Sequence, residues 1–212
     1  MHASTRICVI RHGETDWNVQ GRIQGHLDIP LNATGQAQAL AMASGAGQDR
    51  FAAIYSSDLG RAMETAQALS KRTGLAVHPL SQLRERHFGI FQGLTATEGA
   101  ALHPAVYARY SARDPDCDFE TGETMLELVD RITQCVAWMV RHHPNQTLCA
   151  VAHGGVLDIL YREATGRPLE TPRDFTIPNC GLNWFRFDAA GWHLERWADH
   201  GHQAEVLVET PE

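Results

Sequence analysis

Two histidines each follow a short apolar run, and each is followed by glycine. His12 comes after residues 7–10, and His153 comes after residues 148–152. An imidazole held at a strand end can attack phosphorus and form a phosphohistidine, and Arg11 beside His12 offers a planar fork that matches phosphate oxygens. Taken alone, each histidine could equally be a surface residue or a hydrogen-bonded residue at a sheet edge. Together, on two parallel strands, they predict one cleft that holds two imidazoles.

Arg61 and Glu85 offer further charged groups. Arg61 lies in SSDLGRAMETA, where a strand is expected to end and a helix to begin, with Asp58 as the predicted N-cap. The helix dipole disfavours a cation in the first turn, so a bound anion explains Arg61 best, with a solvated arginine as the alternative. Glu85 can protonate a leaving oxygen and then activate water. Its neighbours Arg84 and Arg86 leave an exposed ion-pair cluster as the other interpretation.

The elements that must position these residues alternate between strands and helices. The pattern predicts strands at residues 7–10, 52–57, 76–78 and 148–152 and helices at residues 34–47, 59–72, 103–110, 123–142 and 156–165. A loop is expected over residues 114–122, and a hairpin joins residues 183–187 to 193–197. In the long helix, one apolar side is predicted to comprise Leu126, Val129, Ile132, Val136 and Met139.

This order predicts an α/β fold, a three-layer sandwich with a mostly parallel, mixed sheet and helices on both faces. Residues 1–212 are expected to form a single domain. In such sheets a ligand lies at the carboxyl ends of the strands, which is where both histidines fall.

Composition excludes several classes of protein. The net charge of -7 argues against a nucleic-acid binder, so positive charge must be gathered locally if the ligand is an anion. No apolar stretch is long enough for a signal peptide or a membrane span. The five cysteines include no CxxC pair, and Cys8 and Cys149 are expected to be reduced core residues. We therefore expect a cytoplasmic protein without a disulfide framework.

Four motifs together resemble one known family. The segments RHGETDWN, SSDLGRAMETA, LRERHFG and VAHGG come in the order and approximate spacing of the histidine phosphatase superfamily, which includes the phosphoglycerate mutases. The resemblance extends from about Arg6 to Trp197. One such motif is weak evidence, whereas four in order are specific.

The resemblance implies a role for each matching residue. His12 would be the phosphorylated nucleophile and Glu85 the proton donor, while Arg11, Arg61 and His153 would surround the phosphoryl group. The predicted phosphate or substrate contacts are Asn18, Gln24, Gly25 and Gly154. No cofactor or metal is expected, because two arginines and two imidazoles supply the positive charge. The expected partner is a small phosphorylated metabolite, and a homodimer is compatible with the sequence.

Local differences favour the shorter, phosphatase branch over a mutase. Mutases have Thr-Gly or Ser-Gly where this chain has Gln24-Gly25, and His-Gly-Asn where it has a second glycine after His153. They also carry a longer insert with an adjacent arginine pair, whereas residues 86–152 contain only separated arginines. The segment Glu85-Arg86-His87-Phe88-Gly89 points the other way, since it is similar to the mutase Glu-Arg-His-Tyr-Gly. A phosphoglycerate mutase therefore remains the alternative.

Two other classes are considered. A metal enzyme is suggested by 12 histidines, including His142-His143 and His200-Gly201-His202, but no tight Asp or Glu pattern accompanies them. A non-catalytic phosphate-binding module would have lost the nucleophile or the acid, and neither is missing here. The sequence does not identify the substrate, and the region of residues 96–121 is expected to line the substrate side.

Overall fold

A mixed sheet of six strands forms the centre of the computed structural model, which describes residues 4–47 and 49–203. Its strands are β1 (Thr5–Arg11), β2 (Ala53–Ser56), β3 (Val77–Pro79), β4 (Thr147–Ala152), β5 (Leu182–Asp188) and β6 (Gly191–Asp199). Their spatial order is β3-β2-β4-β1-β5-β6. The first four in this order are parallel, β5 is antiparallel to β1, and β6 is antiparallel to β5. The predicted mixed, mostly parallel sheet is confirmed.

Helices follow the strands. They are α1 (Asp16–Val19), α2 (Ala33–Ala46), α3 (Gly60–Thr73), α4 (Ala96–Leu102), α5 (Pro104–Ser111), α6 (Met125–His142) and α7 (Gly154–Thr165). Short 3-10 turns occupy Ser81–Leu83, Gly89–Phe91 and Gly201–Gln203. Helices α3 and α7 end at Gly74 and Gly166, which are left-handed with φ of 77° and 67°. Glycine adopts that conformation without strain, so both predicted helix stops are confirmed.

Alternate residues of β1 pack into two different core layers. Ile7 and Val9 face α6 and α7, whereas Cys8 and Ile10 face α2 and α3. Strand side chains alternate between the two faces of a sheet, so an apolar run such as this one serves both layers. The three-layer architecture is therefore confirmed.

Two details of the predicted helices are wrong. Asp58 does not cap α3: its carboxylate binds Arg84, and the Gly60 N–H is taken by Asp28 from a distant loop. Leu126 is 48% exposed, because at 100° per residue it lies about 120° around α6 from Ile132. The stripe that α6 buries comprises Met125, Leu128, Ile132, Cys135, Val136 and Met139.

Helix α4 was not predicted, although its start carries a clear signal. Thr95 accepts from the Glu98 N–H while the Glu98 carboxylate accepts from the Thr95 N–H, which is a capping box. Over the described ranges, no helix combines the length and hydropathy needed to cross a bilayer. That residues 1–212 form one domain stays a prediction.

Candidate active site

The two strand-end histidines lie side by side because β1 and β4 are parallel neighbours. Arg11 is in register with Ala152, and the His12 N–H donates to the Ala152 carbonyl at 3.0 Å. Each strand then delivers its next residue to the same edge of the sheet. The ring centroids of His12 and His153 are 5.2 Å apart, so the predicted pair of imidazoles does converge.

The His12 ring is held in one tautomer. Its Nδ1 lies 2.7 Å from the Gly13 carbonyl, and its Nε2 lies 3.3 Å from Nε of Arg61. A carbonyl oxygen only accepts and a guanidinium only donates, so Nδ1 carries the hydrogen and Nε2 keeps its lone pair. Burial lowers the pKa of His12 well below its usual range, and the charges of Arg61 and Arg11 lower it further. The ring is therefore neutral at neutral pH.

His153 is completely buried behind this ring. Its Nε2 lies 2.8 Å from the Ser57 hydroxyl, and its Nδ1 has no partner among the described residues. Burial lowers the pKa of His153, and the charge of Arg61 acts in the same direction. Ser57 follows β2 and was not predicted, although it stands in the SSD sequence that opens the Arg61 motif.

Backbone carbonyls hold the two arginines. Arg61, the second residue of α3, donates to the carbonyls of Leu27 and Gly25, each at 2.8 Å. Arg11 donates to the Ile177 carbonyl at 2.7 Å, while its buried Nε has no partner in the described ranges. Burial lowers the pKa of Arg11, and it lowers that of Arg61 to about 10, so both stay charged at neutral pH. Carbonyls orient these guanidiniums without neutralising them.

The Glu85 carboxylate is held by backbone N–H groups. Gly155, in the first turn of α7, donates to both carboxylate oxygens at 3.0 and 3.1 Å, and the Arg86 N–H donates to Oε1 at 2.8 Å. A Cβ added to Gly155 would lie 2.2 Å from Oε1, so any other residue there would displace the Glu85 carboxylate. Gly154 is the glycine predicted to contact the ligand, but a Cβ added to it would lie no closer than 3.8 Å to the Glu85 carboxylate. Gly155, the second glycine of VAHGG, was not among the predicted contacts.

A cavity of about 160 Å³ joins these groups. Its lining comprises Arg11, His12, Asn18, Arg22, Ile23, Gln24, Gly25, Arg61, Glu85 and Phe88. Three of these residues, Arg22, Ile23 and Phe88, were not predicted as contacts. His153 and Gly154 lie outside the lining.

The smaller predicted contacts differ in what they offer a ligand. The side-chain oxygen of Asn18 accepts a hydrogen bond from the Thr15 N–H at 3.0 Å. The amide nitrogen of Asn18 is therefore the group left for the cavity. Gln24 is buried, and its Oε1 lacks a partner within the described part of the chain. Gly25 contributes the carbonyl that holds Arg61.

Over residues 4–47 and 49–203, no three His, Cys, Asp or Glu side chains are grouped as they would be around a metal ion. His200 and His202 bind the carbonyls of Ala198 and Cys180 instead. His143 bonds to Tyr55 and Gln146.

Comparison with known proteins assigns the family. The model of the histidine phosphatase superfamily (branch 1) matches residues 7–200. The chain belongs to the histidine phosphatase superfamily. The predicted family is confirmed, and the mixed sheet with its flanking helices is the fold of its solved relatives.

Similar proteins carry names of both mutases and phosphatases. The chain is 38% identical to phosphoglycerate mutase-like protein 4 of Arabidopsis thaliana, over 94% of this chain and 87% of that protein. It is 34% identical to a metal-independent phosphoserine phosphatase of the same plant, over 95% and 84%. The structure of mycobacterial glucosyl-3-phosphoglycerate phosphatase matches with a TM-score of 0.82 at 33% identity, over 92% and 99% of the two chains. Family and relatives together support the predicted phosphomonoester hydrolase class.

Proposed function

We propose that this histidine phosphatase hydrolyses small phosphate monoesters through a phosphohistidine on His12. One observation supports this above all. The His12 ring is buried and neutral, its Nε2 lone pair borders the cavity, and the Arg61 guanidinium lies 3.3 Å from that nitrogen. A neutral nucleophile beside an unneutralised guanidinium suits an anionic phosphoryl group.

In the first step, the His12 Nε2 lone pair attacks phosphorus. The N–P bond forms as the P–O bond to the leaving alcohol breaks, and Glu85 gives its proton to the leaving oxygen. Arg11 and Arg61 stabilise the charge on the equatorial oxygens, and His153 packs against the His12 ring. Two fixed guanidiniums supply this stabilisation without reorganising during the reaction.

In the second step, water attacks the phosphohistidine. The Glu85 carboxylate takes a proton from the water as the new O–P bond forms and the N–P bond breaks. Inorganic phosphate leaves, and both His12 and Glu85 return to their starting states. The same carboxyl group thus serves as acid and then as base.

The cavity suits a small ester. A volume of about 160 Å³ is well below the roughly 300 Å³ at which pockets for drug-sized ligands begin. We infer that the phosphoryl group fills most of it and that the alcohol extends past Phe88 and Ile23. Asn18 and Gln24 contribute amide groups to the bound ester.

Phosphoglycerate mutase activity is the second candidate function, because one similar protein carries a mutase-like name. A mutase keeps its dephosphorylated intermediate bound and returns the phosphoryl group to it. A hydrolysis screen over phosphorylated metabolites, with mutase activity on 3-phosphoglycerate assayed in parallel, separates the two. Transfer that exceeds release of inorganic phosphate would reverse our preference.

Rapid quenching with a labelled phosphate ester tests the proposed intermediate. We expect label that is stable to alkali and labile to acid, and peptide mapping should locate it on His12. His12→Ala should abolish labelling and turnover while circular dichroism and the melting temperature show an intact fold. Label on another residue would overturn the assignment.

A cytoplasmic location is also part of the proposal. All five cysteines are unpaired and buried, which agrees with a reducing compartment. A homodimer is compatible with this proposal, and sedimentation of the purified protein would determine the oligomeric state.

A further inference from the structure

One side chain of α6 binds several carbonyls of the segment that carries Glu85. After the short turn at Ser81–Leu83, this segment has no regular hydrogen-bonded structure up to His87. Arg131 donates to the carbonyls of Gln82 at 2.6 Å, Arg84 at 3.0 Å and Glu85 at 3.4 Å. One guanidinium therefore holds three carbonyls of the segment.

The Arg131 guanidinium also forms an ion pair with the Glu123 carboxylate. Nε and Nη2 of Arg131 lie 2.8 and 2.7 Å from the two carboxylate oxygens of Glu123. The side chains are 22% and 15% exposed, so solvent screens this bidentate pair only in part. The pair fixes the orientation of the fork relative to the carbonyls.

The backbone of Glu123 also binds the part of the segment that follows Glu85. Its N–H donates to the His87 carbonyl at 2.8 Å, and its carbonyl accepts from Nε of Arg86 at 2.8 Å. The side chain of Arg131 thus holds the segment before and at Glu85, and the backbone of Glu123 holds it after Glu85. Neither Arg131 nor Glu123 lines the cavity at His12.

We propose that Arg131, oriented by Glu123, is a positioning residue that sets the place of the Glu85 carboxyl group relative to the leaving oxygen. This inference rests on the proposed function, in which Glu85 is the proton donor. Proton transfer in a transition state requires donor and acceptor within hydrogen-bond reach, so small displacements are costly.

Other contacts keep Glu85 near its place when Arg131 is changed. His26 Nε2 lies 2.8 Å from the Glu85 carbonyl, and Gly155 still donates to the carboxylate. We therefore expect loss of precision rather than loss of the segment. Lysine cannot replace Arg131, because one ammonium with three donors cannot reach three carbonyls and two carboxylate oxygens.

The test uses Arg131→Lys with two phosphate esters that differ in leaving group. An alkyl phosphate needs a proton on its leaving oxygen, whereas dinitrophenyl phosphate does not. We expect kcat/KM for the alkyl ester, which reports phosphoryl transfer to His12 and not the later hydrolysis, to fall about 10-fold or more, within the ~10²–10⁴-fold that general acid catalysis supplies. kcat/KM for the dinitrophenyl ester should change less than about threefold. Arg141→Lys, at an exposed position of the same helix, is the matched control.

A double variant identifies the residue through which Arg131 acts. On the Glu85→Gln background, Arg131→Lys should cause no further loss on the alkyl ester, because the acid it positions is gone. Equal losses on both esters, or an additive loss with Glu85→Gln, would overturn the proposal and leave a structural role. If Arg131→Lys folds poorly, as judged by thermal unfolding, Glu123→Gln tests the same pair.

Glu85→Gln alone separates this inference from the proposed function. We expect it to lower kcat/KM for the alkyl ester far more than kcat/KM for the dinitrophenyl ester, because kcat/KM excludes the later hydrolysis step in which Glu85 acts as a base. Should it slow both equally, Glu85 is not the acid, and the proposed function and this inference fail together. If Glu85→Gln affects mainly the alkyl ester while Arg131→Lys affects both esters equally, only this inference fails.

Discussion

Two groups of arginines in this protein have opposite surroundings. Arg11 and Arg61 bind backbone carbonyls, and within the described ranges no Asp or Glu forms an ion pair with either. Asp158 of α7, in contrast, contacts Arg113 at 3.2 Å and both Arg162 and Arg173 at 3.1 Å. Burial works against ionisation of Asp158, but the arginines outweigh it and lower its pKa.

The contrast separates charge used for binding from charge used for structure. A guanidinium oriented by carbonyls keeps its full charge for an incoming anion. The arginines around Asp158 already have a carboxylate, and they also bind the carbonyls of Pro168 and Leu169, tying the segment after α7 to the helix. Changes in the first group should therefore reduce catalysis, and changes in the second should reduce stability.

The largest effect is expected from Asp158→Asn. It leaves the side chain of Arg162, 1% exposed, without its anion, and removing one partner of a buried pair typically costs about 3–5 kcal/mol. Urea unfolding measures the loss, and kcat/KM of the folded protein should change little. A loss below about 1 kcal/mol would mean that the cluster is not structural.

Arg61→Ala should give the reverse pattern. We expect kcat/KM to fall about 10²–10³-fold, the usual effect of removing one donor to transition-state charge. The unfolding free energy should change less than in Asp158→Asn, because loss of two carbonyl hydrogen bonds is offset by removal of a buried, unneutralised charge. Comparable destabilisation in the two variants would break the comparison.

The two buried histidines also predict how stability depends on pH. His12 and His153 have pKa values far below 6.5 in the folded protein, so below pH 6.5 only the unfolded chain binds their protons. Unfolding is then favoured as the pH falls, by up to about 1.4 kcal/mol per pH unit for each histidine.

Urea unfolding between pH 7 and 5, above the range in which carboxylates titrate, measures this slope. His26 and His202 also have lowered pKa values and act in the same direction. The difference between wild type and His12→Gln isolates one histidine, and the slope of the variant should be smaller. An unchanged slope would show that His12 is protonated in the folded state.

The smallest effect is expected at an exposed ion pair. Arg196 and Asp199 lie 2.8 Å apart with side chains 63% and 33% exposed. Arg196→Ala should cost about 0.2–1 kcal/mol and leave kcat unchanged, because solvent screens the pair. This variant shows what an ion pair contributes when neither burial nor a ligand is involved.

The fold could be predicted where the chain carries a strong local signal. The apolar runs that became β1 and β4, and the glycines that end α3 and α7, were interpreted correctly. One prediction failed because partners distant in sequence decided the outcome. Asp58 has a good capping side chain, but Arg84 takes its carboxylate and Asp28 supplies the contact to the helix instead.

The candidate site divides in the same way. Sequence by itself determined the types and order of the chemical groups. These are two histidines after apolar strands, an arginine at a helix start, and a glutamate that lies between this arginine and the second histidine. It also determined the family, because four motifs in a fixed order are specific.

Only the tertiary structure decided how these groups meet. The sheet order puts β4 beside β1 and so brings His153 to His12. Gly155 holds Glu85, and Arg131 holds the carbonyls beside it. These last contacts are made to or by the backbone, which is chemically alike at every residue, so no sequence pattern marks which carbonyl or N–H will be used.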